Sequence, residues 1–385
     1  MSAAIGSITV ASLAELANVA IAQALALWPQ FAVLALALWI VDAVALRRAW
    51  PMLRLALHGA VLLKLALPAS LASPVSLARA LSPSPAAAAD LPLRYAENGG
   101  ELSPAVAALL LAVWAAGTLL VTWVGIRRAR GLRQTLRAES RRAPPPLLAA
   151  ARGAARRLGV ARLPEIRVSA SLPTAALIGA GRALIVVPAA LLERGRERER
   201  DHALLHELVH WRRRDAWFGA VAFALCSIWW FQPFAWLVAR RATLLRELCC
   251  DDAVRRVLRG DAPAYRMTLL DHARKLLASP ALPGAQAFLS GRGALVVRLE
   301  ALARERRHRP WCERLGAFAA LCFALVVVVP MGHAKRAAVS PTPSDWARQV
   351  LLEAASPERA PGCMRRLYAV ALLSRSLPSS ERGID

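Results

Sequence analysis

Six cysteines are present, but none are paired at CxxC spacing, and only Cys249 and Cys250 lie close together. That excludes a CxxC-type metal ribbon and a disulfide framework, and assigns most of the thiols to packing. Charge is scarce as well. Asp, Glu, Lys and Arg make up 20% of 385 residues against 57% hydrophobic, too apolar and too uneven for one ordinary soluble domain. There is no internal repeat. No basic residue precedes the first apolar stretch, and the first charge of any sign is Glu15, so a cleaved signal peptide is not expected.

In place of evenly spread charge the chain has long uncharged runs, of the roughly 20 residues that a bilayer crossing needs. They cover Leu16 to Val41, Ala105 to Ile126 and, a little shorter, Leu315 to Met331; a fourth, Leu55 to Leu77, is interrupted by Lys64. Lys64 is either a functional intramembrane charge or a side chain that faces protein or snorkels. Pro29 is a candidate kink in the first run. The expected organisation is a membrane region over 1–126 with helices at about 16–41, 55–77 and 105–126 and a short outer loop. A globular domain over 127–314, a fourth span at 315–332 and a short outer tail at 333–385 follow.

The net charge of +24 raises the question of a nucleic-acid partner. Its placement argues for membrane topology instead. Arg47, Arg48 and Arg54 lie between the first two runs, and Arg127, Arg128, Arg130, Arg133 and Arg137 follow the third directly, as at the cytoplasmic ends of membrane helices. The loop from Ala80 to Pro104 is not basic. The expected orientation places the N-terminus outside and 127–314 inside a bacterial-type inner membrane, with lipid as a partner and no direct nucleic-acid contact.

Within the globular part, Ile166 and Val168, Ala175 to Ile178, and Ala183 to Val187, punctuated by Pro173 and Gly179/Gly181, read as short strands. The rest is helical in pattern: an Arg-rich stretch broken by APPP at Ala143 to Pro146, a charged helix start at Glu193 to Arg200, a helix over Tyr265 to Leu277, and a basic amphipathic helix over Gly291 to Arg307.

The stretch LLHELVHWRRRDAW, from Leu204, carries the chemistry. His206, Glu207 and His210 form HExxH, and residues four apart share a helix face, so both imidazoles can reach one Zn²⁺ with Glu207 beside the open coordination position. Such a metal acidifies its bound water, and the carboxylate takes the proton and passes it to the leaving amine. Thermolysin-like sites take a third ligand from a glutamate on a second helix. LLRELCCDDAV offers Glu247, with Asp251 one turn on, placed to hold a ligand imidazole from behind. His202 shares the face of His206, but three ligands stacked along one helix would span about 12 Å, so it is a supporting or packing residue. Asp215 caps a helix, pairs with the preceding arginines or orients the site.

The metal also constrains the path of the chain. Ala216 to Ala239 is uncharged and about 36 Å long if helical, enough to cross a membrane. A crossing would put HELVH and Glu247 on opposite sides, so the segment must bend, most plausibly near Gln232 and Pro233. Trp229, Trp230 and Trp236 suit either an interfacial position or core packing.

HELVHWRRRD, then FQPFAWLVARR, then RELCCDDAV, together with ALIVVP before the motif helix, resemble the BlaR/MecR-type integral-membrane zinc metallopeptidases over roughly residues 16 to 332. The resemblance implies an α-helical integral membrane protein with four transmembrane helices and a mostly α, small-sheet α+β gluzincin domain on the cytoplasmic side. It implies His206, His210 and Glu247 as zinc ligands and Glu207 as general base. It further implies a signal transducer whose protein substrate is itself or a DNA-binding repressor, with a dimer among its options for assembly. Antibiotic-sensing members carry a large outer penicillin-binding domain with SxxK; the segment after His333 has no SxxK and is too short for such a domain. Two readings compete: a quality-control protease of the membrane, and a non-catalytic transducer in which zinc only staples the domain.

Overall fold

The computed structural model describes residues 2–47, 49–67, 102–278 and 292–303, and five positions between 311 and 322. Most of the outer loop, the end of the second expected span, nearly all of the fourth and the C-terminal tail lie outside the described residues.

The chain opens with α1 (Ser2–Val44), which runs through Pro29, followed by α2 (Pro51–Lys64) with its proline at the first turn, where no backbone donor is needed. Lys64 is buried at the end of α2, and the chain turns at 65–67. The next helix, α3 (Pro104–Glu139), starts at Ser103, whose hydroxyl accepts the Val106 N–H, and continues without a break into the Arg-rich stretch. Among the described residues, two segments are long and apolar enough to cross a membrane: Ala17–Val44 and Pro104–Glu139. The apolar side chains of α3 are largely exposed, among them Leu109, Leu119 and Leu120, which a water-soluble core helix would not tolerate.

The chain then enters a small sheet. Strands β1 (Ser140–Arg142), β2 (Glu165–Ser169), β3 (Ala176–Ile178) and β4 (Leu184–Pro188) pair in the order β1-β2-β4-β3, with β2 and β4 parallel and the outer pairs antiparallel. The central β4, LIVVP, is buried at all five positions, as expected of a strand covered on both faces. The last three strands fall where the apolar runs place them; β1 is an addition. Between β1 and β2 lies α4 (Pro145–Leu158), which begins at the prolines of APPP and ends on Gly159 at φ 66°, a left-handed cap that a side chain would strain.

Four more helices complete the domain: α5 (Glu197–Arg213), α6 (Asp215–Ile228), α7 (Pro233–Leu258) and α8 (Ala262–Ala278), with α9 (Arg292–Ala303) after 279–291, which lie outside the described residues. The apolar stretch after HELVH breaks at 229–232, the bend expected there, and α7 restarts at Pro233.

Among the described residues three apolar clusters share α7: a small one that gathers Leu55 with Leu245 and Leu248, and two larger ones. One joins Leu147, Val168, Ile185, Val187, Leu204 and Leu208 to Cys250 and Val254, and is the domain core. The other joins Phe31 and Leu34 of α1 and Val61 of α2 to Cys226, Trp229 and Val238. The tip of the α6–α7 hairpin is thereby fixed: Trp229 donates to the Leu65 carbonyl at 2.9 Å and Gln232 to the Trp28 carbonyl at 3.0 Å. It also lies close against α3. A Cβ at Gly125 would come 2.1 Å from Phe223, and one at Gly117 would come within 2.4 Å of Trp230. Trp229 is thus a core residue.

Candidate active site

Periodicity sets the first half of the site. His206 and His210 lie one turn apart on α5, with Nε2 atoms 3.2 Å apart and rings edge to face. Glu247 arrives from α7, its Oε2 at 3.4 Å from His206 Nε2 and its Oε1 at 3.5 Å from His210 Nε2. These three edges are close to the roughly 3.3 Å that separates two ligand atoms in a tetrahedral zinc site with bonds of about 2.0–2.2 Å. The donor set therefore fits zinc, and all three residues reach a common point within the limits of one ion.

The far side of each imidazole is also occupied. His210 Nδ1 donates to Asp215 Oδ2 at 2.8 Å. His206 Nδ1 donates to the Tyr265 hydroxyl at 3.0 Å and lies 3.3 Å from Asp251 Oδ1, while Tyr265 donates to that same oxygen at 2.7 Å. With Nδ1 as donor, each Nε2 keeps its lone pair on the side facing Glu247. Asp251 and Asp215 thus each stand behind one of the two imidazoles; Asp215, in the first turn of α6, also pairs with Arg213 at 3.3 Å.

Local conformation explains how Asp215 arrives. Arg214, at φ 57°, is the one described non-glycine residue in the left-handed region; it caps α5 and turns the chain so that the next residue starts α6 facing back to His210. Glu247, Cys250 and Asp251 share one face of α7 by their spacing of three and four. Glu207 is buried beside the histidines and accepts a hydrogen bond from the Leu177 N–H of the edge strand β3.

Residues 23–302 match the family model described as BlaR1 peptidase M56. The chain belongs to that family. The match takes in every residue of the site, from His206 to α9, and with it the chain is assigned to membrane-associated peptidases of the metallopeptidase class. No curated protein matches the chain.

In this member of the BlaR1 peptidase family the site is a dense electrostatic network. Burial lifts the Glu207 carboxyl above the usual carboxylate range. Burial opposes charge on Glu247 too, but Arg298 and His210 beside it hold its carboxyl well below that range. Burial likewise disfavours charged His206 and His210; hydrogen bonds to Asp251 and Glu247 outweigh it at His206, and the Cys250 sulfur and Glu247 with the Asp215 hydrogen bond outweigh it at His210, so both are raised. Asp251 is lowered by Arg298 against the cost of burial. Burial pushes the Cys250 thiol up to about 12; its sulfur lies 3.3 Å from His210 Nδ1 and from Asp215 Oδ2. His210, Asp215 and Cys250 form a second cluster of metal-binding type, but it draws on the nitrogen of His210 that already donates to Asp215.

His202 is buried behind the site, bonded to Thr268 at 2.8 Å and to Asp261 at 3.3 Å and edge-on to Tyr265. Tyr265, Cys250 and Arg298 are the participants that motif reasoning does not supply. Tyr265 carries a faint signal, as one of three tyrosines, on an expected helix; Arg298 carries none, being one of 50 basic residues.

Proposed function

We propose that the chain is a membrane-embedded zinc-dependent endopeptidase that hydrolyses peptide bonds in a cytoplasmic or membrane-proximal protein, itself included, as a signal transducer controlling a transcriptional repressor. The observation that carries the catalytic part is the triangle of His206 Nε2, His210 Nε2 and Glu247 with edges of 3.2 to 3.5 Å and a buried carboxyl, Glu207, alongside. Zinc held there supplies Lewis acidity and a water acidified to near neutrality.

The protein groups account for the rest. Glu207, raised by burial and steadied by the Leu177 N–H, accepts the proton of the attacking water and delivers it to the leaving nitrogen. Asp215 and the Asp251–Tyr265 pair keep the imidazoles aimed through the cycle. The donors present would hold zinc through three protein groups beside a buried carboxyl, as in catalytic zinc sites, whereas structural sites are closed and rich in cysteine. That favours an enzyme over a zinc-stapled scaffold. The signalling role is supported by the family, and the cytoplasmic placement of the domain by the arginines that follow the apolar part of α3.

The decisive experiment compares the chain with Glu207→Gln in membranes, reading by mass spectrometry which peptide bonds in the chain and its neighbours are cut. The variant keeps one zinc per chain and loses all site-specific cleavage. Cleavage that persists in the variant assigns the proteolysis elsewhere.

A further inference from the structure

Arg298 is buried, 8% exposed, on a helix 47 residues beyond Asp251, yet its side chain ends at the ligand cluster. Its Nε and Nη2 each lie 2.8 Å from an oxygen of Asp251, and its Nη1 lies 3.0 Å from Glu247 Oε2. All three guanidinium nitrogens are thus engaged by two carboxylates that sit one turn apart on α7. We propose that Arg298 is a positioning residue of the hydrolytic site, setting Glu247 directly and His206 through Asp251, so that metal affinity depends on the docking of α9. The proposal rests on the zinc reading above.

The physical need is plain. Glu247 and Asp251 share a helix face in a buried setting, and without a cation between them two carboxylates so placed disfavour each other's charge. The guanidinium fork holds both Asp251 oxygens, one of which receives the Tyr265 hydroxyl and faces His206 Nδ1. The aim of His206 is therefore inherited from Arg298. His210 is held separately, by Asp215. A lysine supplies the charge but not the fork, and can serve one carboxylate at a time.

The same geometry admits an opposite role, which the experiment separates. Arg298 Nη2 lies 3.4 Å from His206 Nε2, along one edge of the ligand triangle. A guanidinium that competed with the ion for that edge would bind zinc's ligands at zinc's expense, and its removal would tighten zinc binding.

Zinc affinity is measured by competition with a chromophoric chelator on the full chain in detergent, for the parent, Arg298→Ala, Arg298→Lys, Asp251→Asn and the double change Asp251→Asn with Arg298→Ala. Arg298→Ala weakens zinc by about 10–100-fold, the range for residues that orient ligands. Arg298→Lys recovers part of that loss, and the double change costs less than the product of the two single losses. Unchanged or tighter zinc in Arg298→Ala, full recovery in Arg298→Lys, or strictly multiplicative losses overturns the proposal. Should Arg298→Ala fail to fold, the lysine variant alone still decides, since it must bind more weakly than the parent. A parent chain that takes up no zinc sinks the metal-centre reading itself, a result distinct from a parent that binds and an Arg298→Ala that binds equally well.

Discussion

The two imidazoles are supported by different means, and the difference is testable at single side chains. His206 leans on Asp251 directly and through Tyr265, whereas His210 leans on Asp215 at 2.8 Å, with the Cys250 sulfur 3.3 Å from the same nitrogen. Replacing Asp215 by Ala leaves the buried Nδ1–H without its acceptor and frees the ring to turn. Zinc affinity then falls by about 10–100-fold, read by chelator competition. Cys250 makes the complementary case. It lies 3.3 Å from His210 Nδ1 and from Asp215 Oδ2, on the other side of the ring from the Nε2 that faces Glu247, and so stands outside the His206–His210–Glu247 group. Cys250→Ala accordingly keeps one zinc per chain by elemental analysis; loss of the metal in that variant would move the centre to the second cluster.

The elements of the site were largely legible as pattern, because helix periodicity and apolar strand runs are local properties. HELVH lies on a helix, Glu247 and Asp251 share a face, β2, β3 and β4 occupy the three apolar runs, and the hairpin bends at 229–232, where the sequence requires a bend if one ion is to reach both helices. What was not legible depends on contacts between distant residues. The three residues of β1, SRR, are polar and make a strand only because β2 offers them an edge. Arg298 reads as one more charge on a basic helix until α9 is docked. The break between α5 and α6 is of the same kind: nothing in RRRD announces that Arg214 takes a left-handed conformation. That conformation costs an ordinary side chain about 1–2 kcal/mol and a β-branched one more, while glycine adopts it freely. Arg214→Gly therefore keeps zinc and melts at or near the parent temperature, and Arg214→Val melts lower and binds zinc more weakly, because the turn that aims Asp215 is disturbed. Equal melting of the two variants would remove the turn from the account of the site.

At the scale of the molecule, α3 is the reference rod. Its 36 residues extend about 54 Å, well beyond the roughly 30 Å of a hydrocarbon core, and the excess is the arginine-bearing end. That end touches the sheet: Arg137 pairs with Glu165 at 3.5 Å, Arg133 reaches Gly179, and β1 follows α3 directly. The domain is therefore attached at the end that the arginine rule assigns to the cytoplasm. The α6–α7 hairpin runs back along α3 from Gly125 to Gly117 and cannot cross a bilayer, since α6 has 14 residues and extends about 21 Å. In the proposed topology its two arms begin and end on one side. In a chain with Cys312, Cys322 and Cys363 replaced by serine, cysteines introduced singly as Arg130→Cys, Arg214→Cys and Thr243→Cys are expected to react with a membrane-impermeant maleimide only when the cytoplasmic face is opened. Labelling of positions 214 and 243 from opposite faces would separate HELVH from Glu247 by the thickness of the membrane, and no ion could then join them.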